Sequence, residues 1–249
     1  MRYFVYFAFN GTAYHGSQIQ PNNVSVQEVM QEAFSRLLRT PIELVFSSRT
    51  DAGVHAKTMV AHLDYVDDWN VSDFMYHINH FLPKDITINK IVKVIPTAHA
   101  RFDAVKRTYQ YYIIDHKDPF LFPLATFIDY PIDIEKMNAC CELLLGKHDF
   151  ACFAKKHSDV KTTICTISEA FWEQKDNQIV FTISADRFLR NMVRAIVGTL
   201  LLVGKNKLSQ DDFTAILEQK NRSLAGESAP AKGLFLTDIQ YPSDIFLPC

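Results

Sequence analysis

The sequence predicts an α+β fold in which two ferredoxin-like units, each with the element order β-α-β-β-α-β, form a shared mixed or antiparallel sheet with helices packed on one face. Short runs rich in β-branched and aromatic residues alternate with amphipathic helical patterns, and this order of elements occurs twice along the chain. The 249 residues are 48% hydrophobic, which is enough to bury two cores of ordinary size. We therefore predict two domains, residues 1–104 and residues 105–249.

The first unit opens with an aromatic strand at residues 3–9, which stops at the Asn10-Gly11 turn signal. Ser25 and Glu28 form a capping-box pattern, and apolar residues then recur at helical spacing as far as Leu38. The remaining elements of this unit are strands at 42–46 and 59–65, a helix at 71–82 and a strand at 86–95.

The second unit repeats the order with one additional helix. Gly146 is expected to end its first helix, and Asp176-Asn177 to turn a hairpin. The predicted elements are a strand at 108–114, a helix at 134–145, strands at 164–173 and 178–185, helices at 188–203 and 211–219, and a strand at 234–239.

The composition narrows the class of protein. A formal net charge of −2 gives no overall attraction to nucleic acid, so any polyanion site must gather positive charge locally. The five cysteines include no CxxC pair, which argues against a zinc site or a disulfide framework. Without a signal peptide or a membrane-spanning apolar run, the sequence predicts a soluble cytoplasmic protein that has no membrane partner.

The segment SSRTDAGVHA, residues 47–56, is the candidate site. It joins the two central strands predicted for the first unit, and loops held by a rigid framework often carry functional groups. Taken alone, it is more simply a turn in which Gly53 has a positive φ and Arg49 pairs with Asp51. His55 is expected to be a structural histidine that anchors the loop.

Three local clusters of positive charge favour RNA as the partner. The segment HARFDAVKRTYQYY carries Arg101 and Arg107, and GKHDFACFAKKHS carries Lys155 and Lys156 among interleaved phenylalanines. Arg187, Arg190 and Arg194 are spaced to share one face of the helix predicted at 188–203 and its start. Such a face needs an anionic partner, which is either a nearby carboxylate or the phosphates of a nucleic acid.

The motif RTDAGVHA resembles the catalytic motif of the tRNA pseudouridine synthase A family, which isomerises uridine in the anticodon stem-loop of tRNA. Similar segments follow in the family's order across nearly the whole chain: NGTAYHGSQIQPNNVSVQE, HARFDAVKRTYQYYI, DFACFAK, DRFLRNMVRAIVGTLLLVG and APAKGLFL. The chain differs from the usual pattern at Asn10, Ser17, Ser48 and Ala195.

The resemblance implies a homodimer of two-domain chains that uses an aspartate and neither metal nor organic cofactor. Asp51 matches that aspartate, Arg49 the arginine that helps displace the target nucleotide, and Tyr109 the tyrosine that packs on the target base. Arg194 matches a basic residue that pairs with the aspartate. We expect further tRNA contacts from Arg101, Arg107, Arg190, Lys155 and Lys156.

Two other functions remain open on the sequence. A non-catalytic RNA-binding module would explain the basic clusters but not the RTDAG loop between strands. A hydrolase with an aspartate nucleophile would need a metal cluster or a second carboxylate, and the nearest candidate is Asp64. Whether Asp51 attacks C1′ of the ribose or removes the C2′ proton also stays open.

Overall fold

The computed structural model describes residues 1–66, 69–155 and 161–248. Within these ranges the chain forms five α-helices and ten β-strands of one mixed sheet, so the predicted α+β class is confirmed. Contacts divide the chain into two compact units: unit 1 comprises Met1–Lys106 and Leu236–Cys249, and unit 2 comprises Arg107–Phe235. The assignment of two domains to 1–104 and 105–249 stays a prediction.

Unit 1 is built on antiparallel pairs around its first strand. Its elements are β1 (Arg2–Phe9), α1 (Val26–Leu38), β2 (Val45–Phe46), β3 (His55–Asp64), α2 (Val71–Phe81) and β4 (Ile86–Val94). Strand β1 pairs antiparallel with both β3 and β4, and β2 pairs with β3. The strand predicted at 42–46 is therefore a two-residue bridge, while the other predicted elements of this unit are present within a few residues.

The helices of unit 1 begin where side chains cap them. Ser25 accepts a hydrogen bond from the Glu28 N–H at the start of α1, as the sequence predicts, and Asn70 caps α2 in the same way through Asp73. The two helices pack through Phe34 and Phe74, whose ring centroids are 5.2 Å apart. This packing buries the apolar stripe of α1 and leaves the loops of the sheet to carry polar groups.

Unit 2 contains the predicted hairpin and three helices. Its elements are β5 (Lys106–Ile114), β6 (Thr126–Phe127), α3 (Ile134–Glu142), β7 (Gly146–Asp149), β8 (Ile164–Lys175), β9 (Gln178–Ala185), α4 (Met192–Gly204) and α5 (Gln210–Gln219), and β10 (Leu234–Gln240) follows. Strand β9 pairs antiparallel with β5 and β8. Asp176, at the hairpin turn, has a φ of 51°.

One prediction for unit 2 is wrong, and one helix end differs by a few residues from its predicted position. Helix α4 begins at Met192, because Asn191 has a φ of 65° and cannot continue a helix toward the N-terminus. Arg187 and Arg190 therefore precede the helix, and the arginine stripe with Arg194 does not exist as a helical face. Helix α3 ends at Glu142, three residues earlier than predicted.

The aromatic residues and cysteines of unit 2 are mainly core. Phe150 and Phe153, predicted to be interleaved with lysines as an RNA signal, have no exposed surface on which a base could stack. Four cysteines are free thiols and buried, in agreement with the prediction that the thiols are mostly buried: Cys140, Cys141, Cys152 and Cys165. In the described part of the chain, no helix has the length and apolar character to cross a membrane.

Candidate active site

Residues 47–54, which we call the Asp51 loop, connect β2 to β3 in unit 1. The Ser47 N–H donates to the Val60 carbonyl oxygen at 2.8 Å, which fixes the start of the loop on β3. The Val54 N–H donates to the carbonyl oxygen of Asp51 at 3.1 Å and closes a tight turn. Gly53 has a φ of 76° in that turn, as predicted. Asp51 lies at the apex of this turn and is half-buried, so the residue is held by the loop and still accessible.

Ser17 holds the residue before Asp51 with two hydrogen bonds. Its N–H donates to the Thr50 carbonyl oxygen at 3.2 Å, and its hydroxyl oxygen accepts from the Thr50 N–H at 2.9 Å. Ser17 is fully buried. The sequence marks Ser17 only as a departure from the family pattern, and nothing in the sequence indicates this contact across 33 positions. The serine that this chain has at position 17 thus supports the Asp51 loop from inside the protein.

The end of the Asp51 loop is fixed by His55. The buried ring accepts a hydrogen bond at Nδ1 from the Gly11 N–H, at 3.0 Å. An acceptor at Nδ1 requires an unprotonated nitrogen there, so His55 acts as a neutral structural group. The expectation that His55 anchors the loop is confirmed. Asn10, another departure from the family pattern, caps the neighbouring turn by accepting from the Thr12 N–H.

A cleft of about 260 Å³ lies beside the Asp51 loop in unit 1, and we call it the Arg49 cleft. Its lining includes Gln18, Glu43, Ser48, Arg49, Arg101 and Phe102. Two arginines and an exposed aromatic ring in one small cleft match the phosphate and the base of a nucleotide. The structure therefore brings together two predicted substrate contacts, Arg49 and Arg101, and gives Ser48 a place in the wall.

The wall that carries Arg101 is held by histidines. The Ala100 N–H donates to His62 Nδ1 at 3.2 Å, and the Arg101 N–H donates to His99 Nδ1 at 3.1 Å. The two imidazole rings lie edge to face with their centroids 4.6 Å apart. Burial, the nearby Arg2 and His99 lower the pKa of His62 to about 4. His62 lies inside a strand pattern with no motif around it, so no feature of the sequence marks it.

The remaining predicted site residues belong to unit 2. Tyr109 is buried on β5, and its ring meets Phe188 edge to face at 5.2 Å. Arg194 lies in the first turn of α4, where its Nε donates to the Ala229 carbonyl oxygen at 2.7 Å. Arg107 is buried and donates to the Asp186 carbonyl oxygen at 2.8 Å. These bonds fix the direction in which each side chain points.

The lysine cluster is only partly described. Lys155 and Arg190 are both exposed, and the Lys155 N–H donates to the Arg190 carbonyl oxygen at 3.1 Å. This bond brings two predicted tRNA contacts together although they are distant in sequence. Lys156 lies outside the described residues. Among the residues that the structure describes, no group of three or more His, Cys, Asp or Glu side chains could hold a metal ion.

Comparison with known proteins identifies the family. The family model described as tRNA pseudouridine synthase matches residues 6–103 and 140–242. The chain belongs to the tRNA pseudouridine synthase family. Curated relatives named tRNA pseudouridine synthase A include one from Bacteroides fragilis, 53% identical over 98% of both chains, and one from Parabacteroides distasonis, 49% identical over 98% of both.

Membership of the tRNA pseudouridine synthase family confirms two predictions from the sequence, the family and the enzyme class of isomerase. The matched range from residue 6 to residue 103 includes the Asp51 loop and the Arg49 cleft. Among solved structures, a chain of a Cbf5-Nop10-Gar1 complex covers 94% of this chain with a TM-score of 0.37 and 11% identity, a likeness too low to support an argument.

Proposed function

We propose that this protein isomerises uridine to pseudouridine in the anticodon stem-loop of tRNA, with Asp51 as the catalytic nucleophile. The observation that carries the proposal is the support of the Asp51 loop: Ser17 fixes the residue before the aspartate, and the Val54 N–H closes the turn onto its carbonyl oxygen. A carboxylate fixed in position by its backbone can meet a reacting atom without reorganisation.

The reaction breaks the C–N glycosidic bond, turns the uracil and joins C5 to C1′. Asp51 starts it either by attacking C1′ or by removing the C2′ proton, so that uracil leaves. Arg194 takes the part of the basic residue that pairs with the aspartate in this family. The C5 proton must leave at the end, and Tyr109 acts as or assists the base that removes it.

The target nucleotide must leave its stack before the chemistry, at a cost of a few kcal/mol. Stacking of uracil on the Tyr109 ring returns about 1–3 kcal/mol, and Arg49 takes the vacated place in the RNA. Arg101, Arg107, Arg190, Lys155 and Lys156 bind the tRNA backbone. The location of Arg49 and Arg101 in one cleft beside the Asp51 loop supports this division of roles.

The decisive experiment replaces Asp51 with Asn or Ala. The full-length protein is incubated with an unmodified tRNA transcript, and pseudouridine is mapped by carbodiimide-blocked reverse transcription. We expect the rate to fall by more than about a thousandfold, because the nucleophile is lost, while tRNA binding survives. Asp73→Asn, at an exposed aspartate of α2, is the matched control and should keep the wild-type rate.

Two results would count against this proposal. Full activity of the Asp51 variants would end the nucleophile assignment. If the wild-type protein binds tRNA but forms no pseudouridine in the anticodon arm, an RNA-binding module is favoured instead. A cytoplasmic homodimer stays part of the proposal, and sedimentation of the purified chain tests the dimer.

A further inference from the structure

Three consecutive backbone N–H groups of unit 1 point at two imidazole nitrogens. The Ala100 N–H donates to His62 Nδ1, and the N–H groups of Arg101 and Phe102 donate to His99 Nδ1 at 3.1 and 3.4 Å. We call this segment, residues 100–102, the Ala100 turn. Because all three groups are donors, both Nδ1 atoms must be unprotonated acceptors.

The Ala100 turn is also held from its other side. The carbonyl oxygen of Ala100 accepts from the Tyr241 hydroxyl at 2.6 Å, and the His99 N–H donates to the Asp103 carboxylate at 2.7 Å. No residue of this network lies on the Asp51 loop, so the network supports only the opposite wall of the Arg49 cleft. The side chains on that wall are Arg101, Phe102 and His99 itself.

The side chains delivered by the Ala100 turn suit a nucleotide. Phe102 is 73% exposed and lines the Arg49 cleft, so a base can reach its ring. The Arg101 guanidinium lies 5.7 Å from the centre of that ring. A base could stack on the ring while its phosphate binds the guanidinium, and Arg49 adds a second positive charge in the same cleft.

We propose that His62 and His99 are positioning residues for RNA binding: as neutral imidazoles they hold the Ala100 turn, so that Arg101 and Phe102 bind one nucleotide of the substrate in the Arg49 cleft. This proposal rests on the proposed function, since it takes tRNA as the substrate. His62 acts through the turn alone, and His99 acts through the turn while also lining the cleft; neither has a role at the reacting atoms.

Burial, together with nearby positive charge, lowers the pKa of both histidines. Arg2 lowers the pKa of both rings, and burial is the largest cause in each case. Asp103 and Asp64 raise the pKa of His62, but Asp64 is already paired with Arg2 at 2.7 Å. Arg101 itself lowers the pKa of His99, while Asp103 raises it. Acid below the usual histidine value of 6.5 should therefore first protonate His99, the less buried ring, and release the turn.

The test compares three substitutions of His99 in the full-length protein. Asn places an amide oxygen where Nδ1 stands, whereas Gln places it too far out and Leu removes it. We expect His99→Leu and His99→Gln to raise the KM and the Kd for an unmodified tRNA transcript about tenfold with kcat nearly unchanged. His99→Asn should restore both constants and should also remove the rise of KM that we expect of the wild type as the pH falls below 6.5.

A double-mutant cycle tests whether His99 affects tRNA binding through the Ala100 turn. If His99 acts through the Ala100 turn, His99→Leu should add little to Arg101→Ala combined with Phe102→Ala. Additive effects, equal KM values for the Asn and Leu variants, or a fall in kcat alone would overturn the proposal. Thermal unfolding confirms that each variant is folded, and the Gln variant replaces Leu if Leu unfolds.

Measuring the Kd for tRNA tests this proposal independently of the proposed function. A wild-type protein that binds tRNA without isomerising it would contradict the function of Asp51 and still allow the cycle to be measured by Kd. Conversely, if the wild type is a fully active isomerase and the His99 variants have the wild-type Kd for tRNA, only the role of the histidines is overturned.

Discussion

Gly16 is the residue that brings the N-terminal segment against the Asp51 loop. Its φ is 101°, and a Cβ added there would lie 2.7 Å from the Thr50 carbonyl oxygen. Any side chain at this position must therefore push on the residue that precedes Asp51. Ser17, which holds Thr50 by two hydrogen bonds, follows directly, so the push would be transmitted through a fixed contact.

We expect Gly16→Ala to lower kcat about tenfold to a hundredfold, because a small displacement of a reacting group is costly. It should also destabilise the protein by at least about 1 kcal/mol, because alanine at a positive φ is strained. Rates on tRNA transcript and urea unfolding measure the two effects.

The control is Gly146→Ala. Gly146 has a φ of 93°, and the atom nearest to an added Cβ is His148 Nε2 at 3.6 Å, so only backbone strain is introduced. This variant should lose a similar stability but keep its kcat. Equal kcat values for the two variants would show that Gly16 does not position Asp51.

Helix α4 contains two glycines that neighbouring residues approach closely, and their surroundings differ. A Cβ on Gly198 would overlap the backbone carbonyl of Glu227, which cannot move without shifting its segment. A Cβ on Gly204 would meet the Met137 side chain, with its sulfur 2.5 Å away. The Ile132 Cβ would lie 3.2 Å away, which requires only a small shift. Because methionine is also flexible, the second site can adjust and the first cannot.

Gly198→Ala should therefore destabilise the protein by about 3 kcal/mol or more, and Gly204→Ala by about 1 kcal/mol or less. Thermal unfolding of the two variants makes the comparison on one helix with the same chemical change. If both variants lose equally little stability, residues 226–229 can shift to accommodate the added methyl group. In that case they do not set the position of Arg194.

Helix α1 could be predicted because its signals are local, namely the Ser25 cap and an apolar stripe that stops with the helix. The start of α4 could not, because Leu189 is buried and continues the apolar spacing ahead of the helix, while Asn191 turns the backbone. In the site, RTDAG marks the Asp51 loop in the sequence. Ser17 and His62 carry no local pattern, since their partners are 33 and 38 residues away.

At the scale of the whole molecule, His62 couples folding to pH. Its pKa is about 4 in the folded protein against a usual value of 6.5. Between these values the unfolded chain binds a proton that the folded chain does not, so unfolding is favoured as the pH falls. The stability that depends on a neutral His62 is fully present above 6.5 and decreases toward 4.

Urea unfolding across this pH range should show stability falling with acid in the wild type, and a shallower fall in His62→Asn. The exposed His80→Asn is the control and should follow the wild-type curve. Parallel curves for wild type and His62→Asn would contradict the assignment of the pH dependence to His62.

Unit 1 is interrupted in the sequence, since residues 107–235 stand between its two parts. Its final part supplies the Tyr241 hydroxyl to the Ala100 turn and packs Tyr241 and Phe246 against Phe4. The ribosome makes these residues after all of unit 2. During synthesis, all residues of unit 2 are therefore present before unit 1 is complete. The wall of the Arg49 cleft acquires its last support only when the C-terminal segment emerges from the ribosome.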